Sequence, residues 1–213
     1  MIEPPPEQWY RGLFAKMSIW KSHLILCRVH ISLFAACSAA TGFFLFSYHR
    51  ISDVLLTGTA VFLLACSASA LNQYQERDID AKMERTRLRP LPAGTVTPAQ
   101  ALCLCAVLLM SGLFLLVCAG STQALVLGLI AVLWYNGVYT YLKRVTAFAS
   151  VPGALVGIIP PAIGWVAAGG AISDGRLTAI CFLFFLWQVP HFWLLVLNHG
   201  EQYERAGLPS LTR

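Results

Sequence analysis

Charge is what this sequence has least of. Of its 213 residues, 12% are Asp, Glu, Lys or Arg, where a soluble domain carries roughly a quarter. That shortage excludes an ordinary water-soluble enzyme, and the apolar content excludes a disordered chain or a nucleic-acid-binding arm. A CxxC pair is also missing, and Cys103 and Cys105 are too close together for a usual zinc site. The seven cysteines all lie in apolar runs and read as small packing residues. The sequence has no low-complexity segment and no strong internal repeat. Its first 22 residues include Glu3, Pro4, Pro5, Pro6 and Glu7. A secretory leader needs a basic start and a short apolar core, so these residues read as a polar tail.

What the chain has instead is apolar length. The residues AVILMFWYC make up 57%, and mean hydropathy is +0.66. Six stretches reach the ~20 residues a membrane-spanning helix needs: approximately 23–47, 52–74, 99–119, 122–142, 147–169 and 176–198. None alternates apolar and polar residues as barrel strands do. The expected fold is all-α: a polytopic membrane domain over 23–213, with about six transmembrane helices.

The basic residues are unevenly placed between these stretches. With the N-terminal tail set inside, the inside segments hold twelve: Arg11, Lys16 and Lys21, then Arg77, Lys82, Arg85, Arg87 and Arg89, then Lys143, Arg144, Arg205 and Arg213. The outside segments hold Arg50 and Arg176, while Arg28 falls within the first span. Lys and Arg concentrate in cytoplasmic loops, so both termini are expected in the cytoplasm of a multi-pass cell-membrane protein. The same bias accounts for the net charge of +5 without a nucleic-acid partner.

One connection stands apart. Residues 75–98, QERDIDAKMERTRLRPLPAGTVTP, are dense in charge, and the polar character starts on the preceding span at Asn72. Ionisable residues clustered at a membrane helix mark a functional site by default. Asn72, Glu76 and Asp80 recur every four residues and share one helix face, whereas Asp78 points elsewhere. Their hard oxygens suit Mg²⁺, which takes few protein ligands and leaves its other positions to water and phosphate. The spacing equally allows a helix end whose acids pair with Arg77, Lys82 and Arg85. Arg85, Arg87 and Arg89 follow closely, and Lys143 and Arg144 lie at the same face. These could hold a polyanion such as pyrophosphate or anchor the span. Polar residues also enter the membrane: Asn136, Tyr139 and Tyr141 in span four, and Gln188 and His191 around Pro190 in span six. With Arg28 and His30 they favour an internal polar cavity. An allylic diphosphate, its tail in the bilayer, would ionise at such a site.

At these residues the sequence resembles the UbiA family of intramembrane prenyltransferases, and within it the haem-prenylating branch. NQYQERDIDAKMERTRLRPL (72–91) is similar to the family's NxxxDxxxD motif and its RT and RPL continuation. YTYLKRVTAFASVPGALVGIIPPAIGW (139–165), FLWQVPHF (185–192) and YERAGLPSL (203–211) resemble the branch's further signatures in the expected order. The resemblance implies a ring of helices around a central cavity. By position, Asn72, Glu76 and Asp80 would bind Mg²⁺ and diphosphate, with Lys143 and Arg144 completing the catalytic set. Arg28, Arg85, Arg89 and Tyr139 would bind substrate, and Gln188 and His191 would lie near the haem. The implied reaction joins farnesyl, from farnesyl diphosphate, to a vinyl group of haem B, a substrate rather than a cofactor. Glu76 replaces an aspartate, LCR stands in place of the KPR that opens the first span, so that only Arg28 remains, and Gln202 stands where the second acidic site has aspartate. Glu201, beside it, is the candidate second metal ligand. The family has nine spans and six are read here, so the expectation is either a truncated form with little activity or a ring completed by a second copy or another helical segment. Competing readings are a transferase with another acceptor, a non-catalytic haem-handling homologue and, more weakly, a transporter.

Overall fold

The computed structural model describes residues 19–47, 50–198, 207 and 209. All regular structure among them is helical. A short helix α1 (Ile19–Leu26) leads into α2 (Val29–Phe46). Then follow α3 (Ile51–Asp80), α4 (Pro98–Cys118), α5 (Thr122–Leu142), α6 (Ser150–Ala167) and α7 (Gly175–Asn198). Six of these helices are long and apolar enough to cross a membrane; the first begins at Val29 rather than near 23, which leaves Arg28 before the span and not within it, and α3 runs on to Asp80 rather than ending near 74.

Local sequence explains most boundaries. Thr97 caps α4 in a reciprocal capping box with Gln100, and Pro98 occupies the first turn, where its missing N–H costs nothing. The Ser121 hydroxyl accepts from the Ala124 N–H and starts α5. Arg28 separates α1 from α2 in the left-handed region, at φ 45°. That conformation is costly for a residue with a Cβ and here turns a cation toward the bundle interior.

Helices α2, α3, α4, α5 and α6 contact one another in a closed circuit, and α7 packs along α6. The closest contact is between α2 and α6. A Cβ on Gly164 would sit 1.8 Å from the Ala39 carbonyl oxygen, and one on Gly42 would sit 2.0 Å from that of Pro161. Small residues at such crossings let membrane helices approach backbone to backbone. Around this seam a core forms from Ala60, Leu64, Leu116, Ile163 and Trp165. The outer faces carry bare Leu33, Phe34, Met110, Phe114, Leu133 and Phe182, as expected of side chains that meet lipid. At about 1.5 Å per residue, 30-residue α3 is about 45 Å long, against a hydrocarbon core of about 30 Å. Its last turns, Asn72 to Asp80, therefore reach beyond the apolar layer into the 81–97 loop.

Candidate active site

The end of α3 carries Asn72, Glu76 and Asp80 on one buried face, at 0, 7 and 3% exposure. Buried carboxylates need partners, and each polar rung has a cationic one. Lys143, directly after α5, pairs with Glu76 at 2.5 Å. Arg89 of the loop points Nη1 at both Asp80 oxygens, at 2.8 and 2.7 Å. Arg28 donates from Nη2 to Asn72 Oδ1 at 3.4 Å, and its charge lies within electrostatic reach of Glu76 and Asp80. Burial, followed by the Arg28 charge, pushes the Arg89 guanidinium down from its ordinary value, and Asp80 opposes both. Asp78 is exposed and pairs with neighbouring Arg77 at 3.8 Å, off the shared face as the four-residue period requires.

Helix α5 supplies the facing wall. It runs parallel to α3 and bonds it rung by rung. Asn136 Nδ2 donates to the Ala68 carbonyl at 3.0 Å and to Gln75 Oε1 at 3.2 Å. Asn72 Nδ2 donates to Thr140 Oγ1 at 3.0 Å, and Arg144 Nη2 donates to the Gln75 carbonyl at 2.7 Å. Between these rungs α5 widens into a π-helical stretch, Trp134–Tyr139. Such turns are rare and occur often at functional sites.

Aromatic faces close the other side. Tyr135 and Tyr139 stack with centroids 5.6 Å apart, and Lys143 Nζ lies 5.3 Å from the Tyr139 centroid. Tyr139 can lie there because residue 153 is glycine. A Cβ at that position would fall 2.5 Å from the ring.

The expected residues thus divide. Asn72, Glu76, Asp80, Lys143, Arg89, Arg28, Arg144 and Tyr139 converge at one end of the bundle. Arg85 is exposed on the loop and acts on Arg89 through its charge. Gln188 of α7 lies against α6, its amide 3.0 Å from where a Gly157 Cβ would be. His191 is exposed, as is His30, so Gln188 and His191 do not share a buried surface among the described residues. Glu201 lies outside the described residues. Thr140, Gln75 and Gln73 had not been singled out, although each is a polar residue beside a motif. Gln73 Nε2 donates to the Ile25 and Leu26 carbonyls, at 3.1 and 2.8 Å, and ties the α1–α2 elbow to α3.

No three His, Cys, Asp or Glu side chains form a candidate metal cluster among the described residues. A divalent ion here would draw on the Glu76 and Asp80 carboxylates and the Asn72 amide oxygen. That is a hard-oxygen donor set, which fits Mg²⁺.

Comparison with known proteins bears on the family and the fold. The chain matches the UbiA prenyltransferase family over residues 29–213. It is 45% identical to the protoheme IX farnesyltransferase of Geobacter sulfurreducens, covering 90% of this chain and 71% of that protein. It is 38% identical to the protoheme IX farnesyltransferase of Oleidesulfovibrio alaskensis, covering 86% and 65%. The chain therefore spans about two thirds of the length of these relatives. Among solved structures, a UbiA homologue from Aeropyrum pernix K1 superposes with a TM-score of 0.72 at 24% identity, over 86% of this chain and 69% of that one. A UbiA homologue from Archaeoglobus fulgidus, bound to GPP and Mg²⁺, gives 0.71 at 18%, over 89% and 68%. Those two share the fold, and the 45% identity together with the match from residue 29 onward make this chain a member of the UbiA prenyltransferase family.

Proposed function

We propose that the chain transfers a farnesyl group from farnesyl diphosphate to a vinyl group of haem B, giving haem O, in an Mg²⁺-dependent reaction. The observation that carries this reading is the ladder between α3 and α5, where buried oxygens and cations alternate beneath two stacked tyrosines. Both named relatives are protoheme IX farnesyltransferases, which selects haem among the acceptors open to the family.

The geometry supports a division of labour. Asn72, Glu76 and Asp80 would hold Mg²⁺, which when bound supplies positive charge to the departing diphosphate. Lys143, Arg89, Arg28 and Arg144 bind the phosphate oxygens, and Arg85 adds charge from the loop. Breaking the farnesyl C–O bond sends its electron pair away with diphosphate. The allylic cation left behind faces Tyr135 and Tyr139, whose rings attract positive charge. The vinyl group then supplies the electrons of the new C–C bond, water adds at its inner carbon, and one proton is released.

Gln188 and His191 would approach the haem. For exposed His191 this needs a further helix against α7, from a second copy or another segment, with Glu201 as a second-site ligand. The bias of basic residues toward one set of loops supports an orientation with the ladder and both termini on the cytoplasmic side. The test is mass analysis of products after the purified chain is incubated with haem B, farnesyl diphosphate and Mg²⁺. Haem O with one diphosphate released per turnover is expected. Diphosphate release with a different acceptor would reassign the substrate, and no release with any acceptor would overturn the reading.

A further inference from the structure

Of the three candidate metal donors Asn72, Glu76 and Asp80, Asn72 alone carries no charge. Its value to a metal depends on which end of its amide faces the site, since an oxygen ligates Mg²⁺ and an amide nitrogen does not. Both ends are engaged: Nδ2 donates to Thr140 Oγ1 at 3.0 Å, and Oδ1 accepts from Arg28 at 3.4 Å.

Thr140 is fully buried. A hydroxyl has a single proton to give, and Thr140 gives it to the Tyr135 carbonyl at 2.8 Å. Toward Asn72 its oxygen is then an acceptor only. A guanidinium is a donor only. An acceptor on one side and a donor on the other allow one orientation of the amide, with the oxygen turned to Arg28 and the acidic rungs.

The π stretch makes this possible. The Thr140 backbone N–H also reaches the Tyr135 carbonyl, five residues back, so a single carbonyl collects both protons. The wide turn sets Thr140 beside Asn72 while Asn136 grips Ala68 and Gln75 above it.

We infer that Thr140 is a positioning residue, which holds the Asn72 amide so that its oxygen is offered to the divalent metal. This rests on the reading of Asn72, Glu76 and Asp80 as the metal donors.

The experiment is a Mn²⁺ titration of the detergent-solubilised full chain in the presence of pyrophosphate, with free Mn²⁺ read by electron paramagnetic resonance. Thr140→Val keeps the side-chain shape and removes the acceptor. It should weaken Mn²⁺ about tenfold, equivalent to ~1.4 kcal/mol and the size of a net neutral hydrogen bond. Thr140→Ser should restore wild-type affinity, and metal-free pyrophosphate binding should stay unchanged in both. Thr140→Ala carries the same expectation and serves if the valine variant does not accumulate. Wild-type Mn²⁺ affinity without the hydroxyl would overturn the inference, as would equal losses in the valine and serine variants, which would mean a packing role. Asn72→Ala separates the two levels. If it leaves Mn²⁺ affinity unchanged, the metal assignment falls and this inference with it. If it weakens Mn²⁺ while Thr140→Val does not, the inference about Thr140 alone fails.

Discussion

Replacing Lys143 by methionine removes the cation from Glu76 and keeps a flexible chain of similar length. The pair is tight, at 2.5 Å, with side-chain exposures of 21% for Lys143 and 8% for Glu76. Two unit charges about 4 Å apart at an effective dielectric of ~20 attract by ~4 kcal/mol. Removing one partner of a buried pair costs about 3–5 kcal/mol, because the other stays behind uncompensated. Lys143 is partly open to solvent, which places the cost near the lower bound, at ~3 kcal/mol. In a chain of this size each kcal/mol lowers Tm by about 2–4 °C, so Lys143→Met should melt roughly 6–12 °C below wild type in metal-free detergent. The second arm of the experiment adds Mg²⁺. A ligand stabilises in proportion to its affinity for the folded state, and in the variant no ammonium competes for Glu76. Added Mg²⁺ should therefore raise Tm more in Lys143→Met than in wild type, and adding Glu76→Gln should recover most of the lost stability while abolishing that Mg²⁺ effect. A variant that melts with wild type, or that gains no more from Mg²⁺, would refute the pairing and the role of Glu76 together.

Four further outcomes are expected. Asp80→Ala should abolish Mg²⁺-dependent pyrophosphate binding, measured by calorimetry, while Asp78→Ala has a mild effect; the reverse ranking contradicts the helix-face assignment. Gly164→Ala should separate α2 from α6, costing about 3 kcal/mol, near the upper end for overpacking, and an unchanged thermal melt would show that the backbones are not in contact. His191→Ala should perturb the absorption spectrum of bound haem and leave pyrophosphate affinity intact; an identical spectrum removes His191 from the acceptor site. Mg²⁺ and pyrophosphate should each tighten the other's binding by roughly 5–150-fold, the usual span of coupling between sites, and independent titrations would contradict the ladder as a shared site.

Much of this was legible in the sequence, for reasons that also mark where legibility stopped. The spans were readable because lipid demands long apolar runs and satisfied backbones. The shared face of Asn72, Glu76 and Asp80, and the exclusion of Asp78, followed from helical period alone. The partners did not. That Lys143 meets Glu76 depends on the register between α3 and α5, and a π stretch at Trp134–Tyr139 shifts that register in a way no local pattern announces. Gly42 and Gly164 look like any glycine in a span, and only the crossing of α2 and α6 shows that a methyl group would meet a carbonyl there. Gln188 and His191, three residues apart, share a helix side, but a helix face acquires meaning from what packs on it. Gln188 meets Gly157, and His191 meets no buried surface in the described chain.

The alternation of acids and cations carries an argument of its own. A carboxylate at 3 or 7% exposure cannot wait unpaired for a metal, since a buried charge without a partner is costly. Nor can Lys143 and Arg89 be held near the membrane for a diphosphate without an anion nearby. Pairing them with Glu76 and Asp80 meets both needs in the resting chain. In the proposed reaction Glu76 and Asp80 would turn to the metal and Lys143 and Arg89 to the phosphate oxygens, so that every charge would exchange one partner for another. If either ligand arrived alone, one half of the ladder would be satisfied and the other stripped. On that proposal the pairs that stabilise the site would also couple metal to diphosphate, and would bias it against holding either ligand without the other.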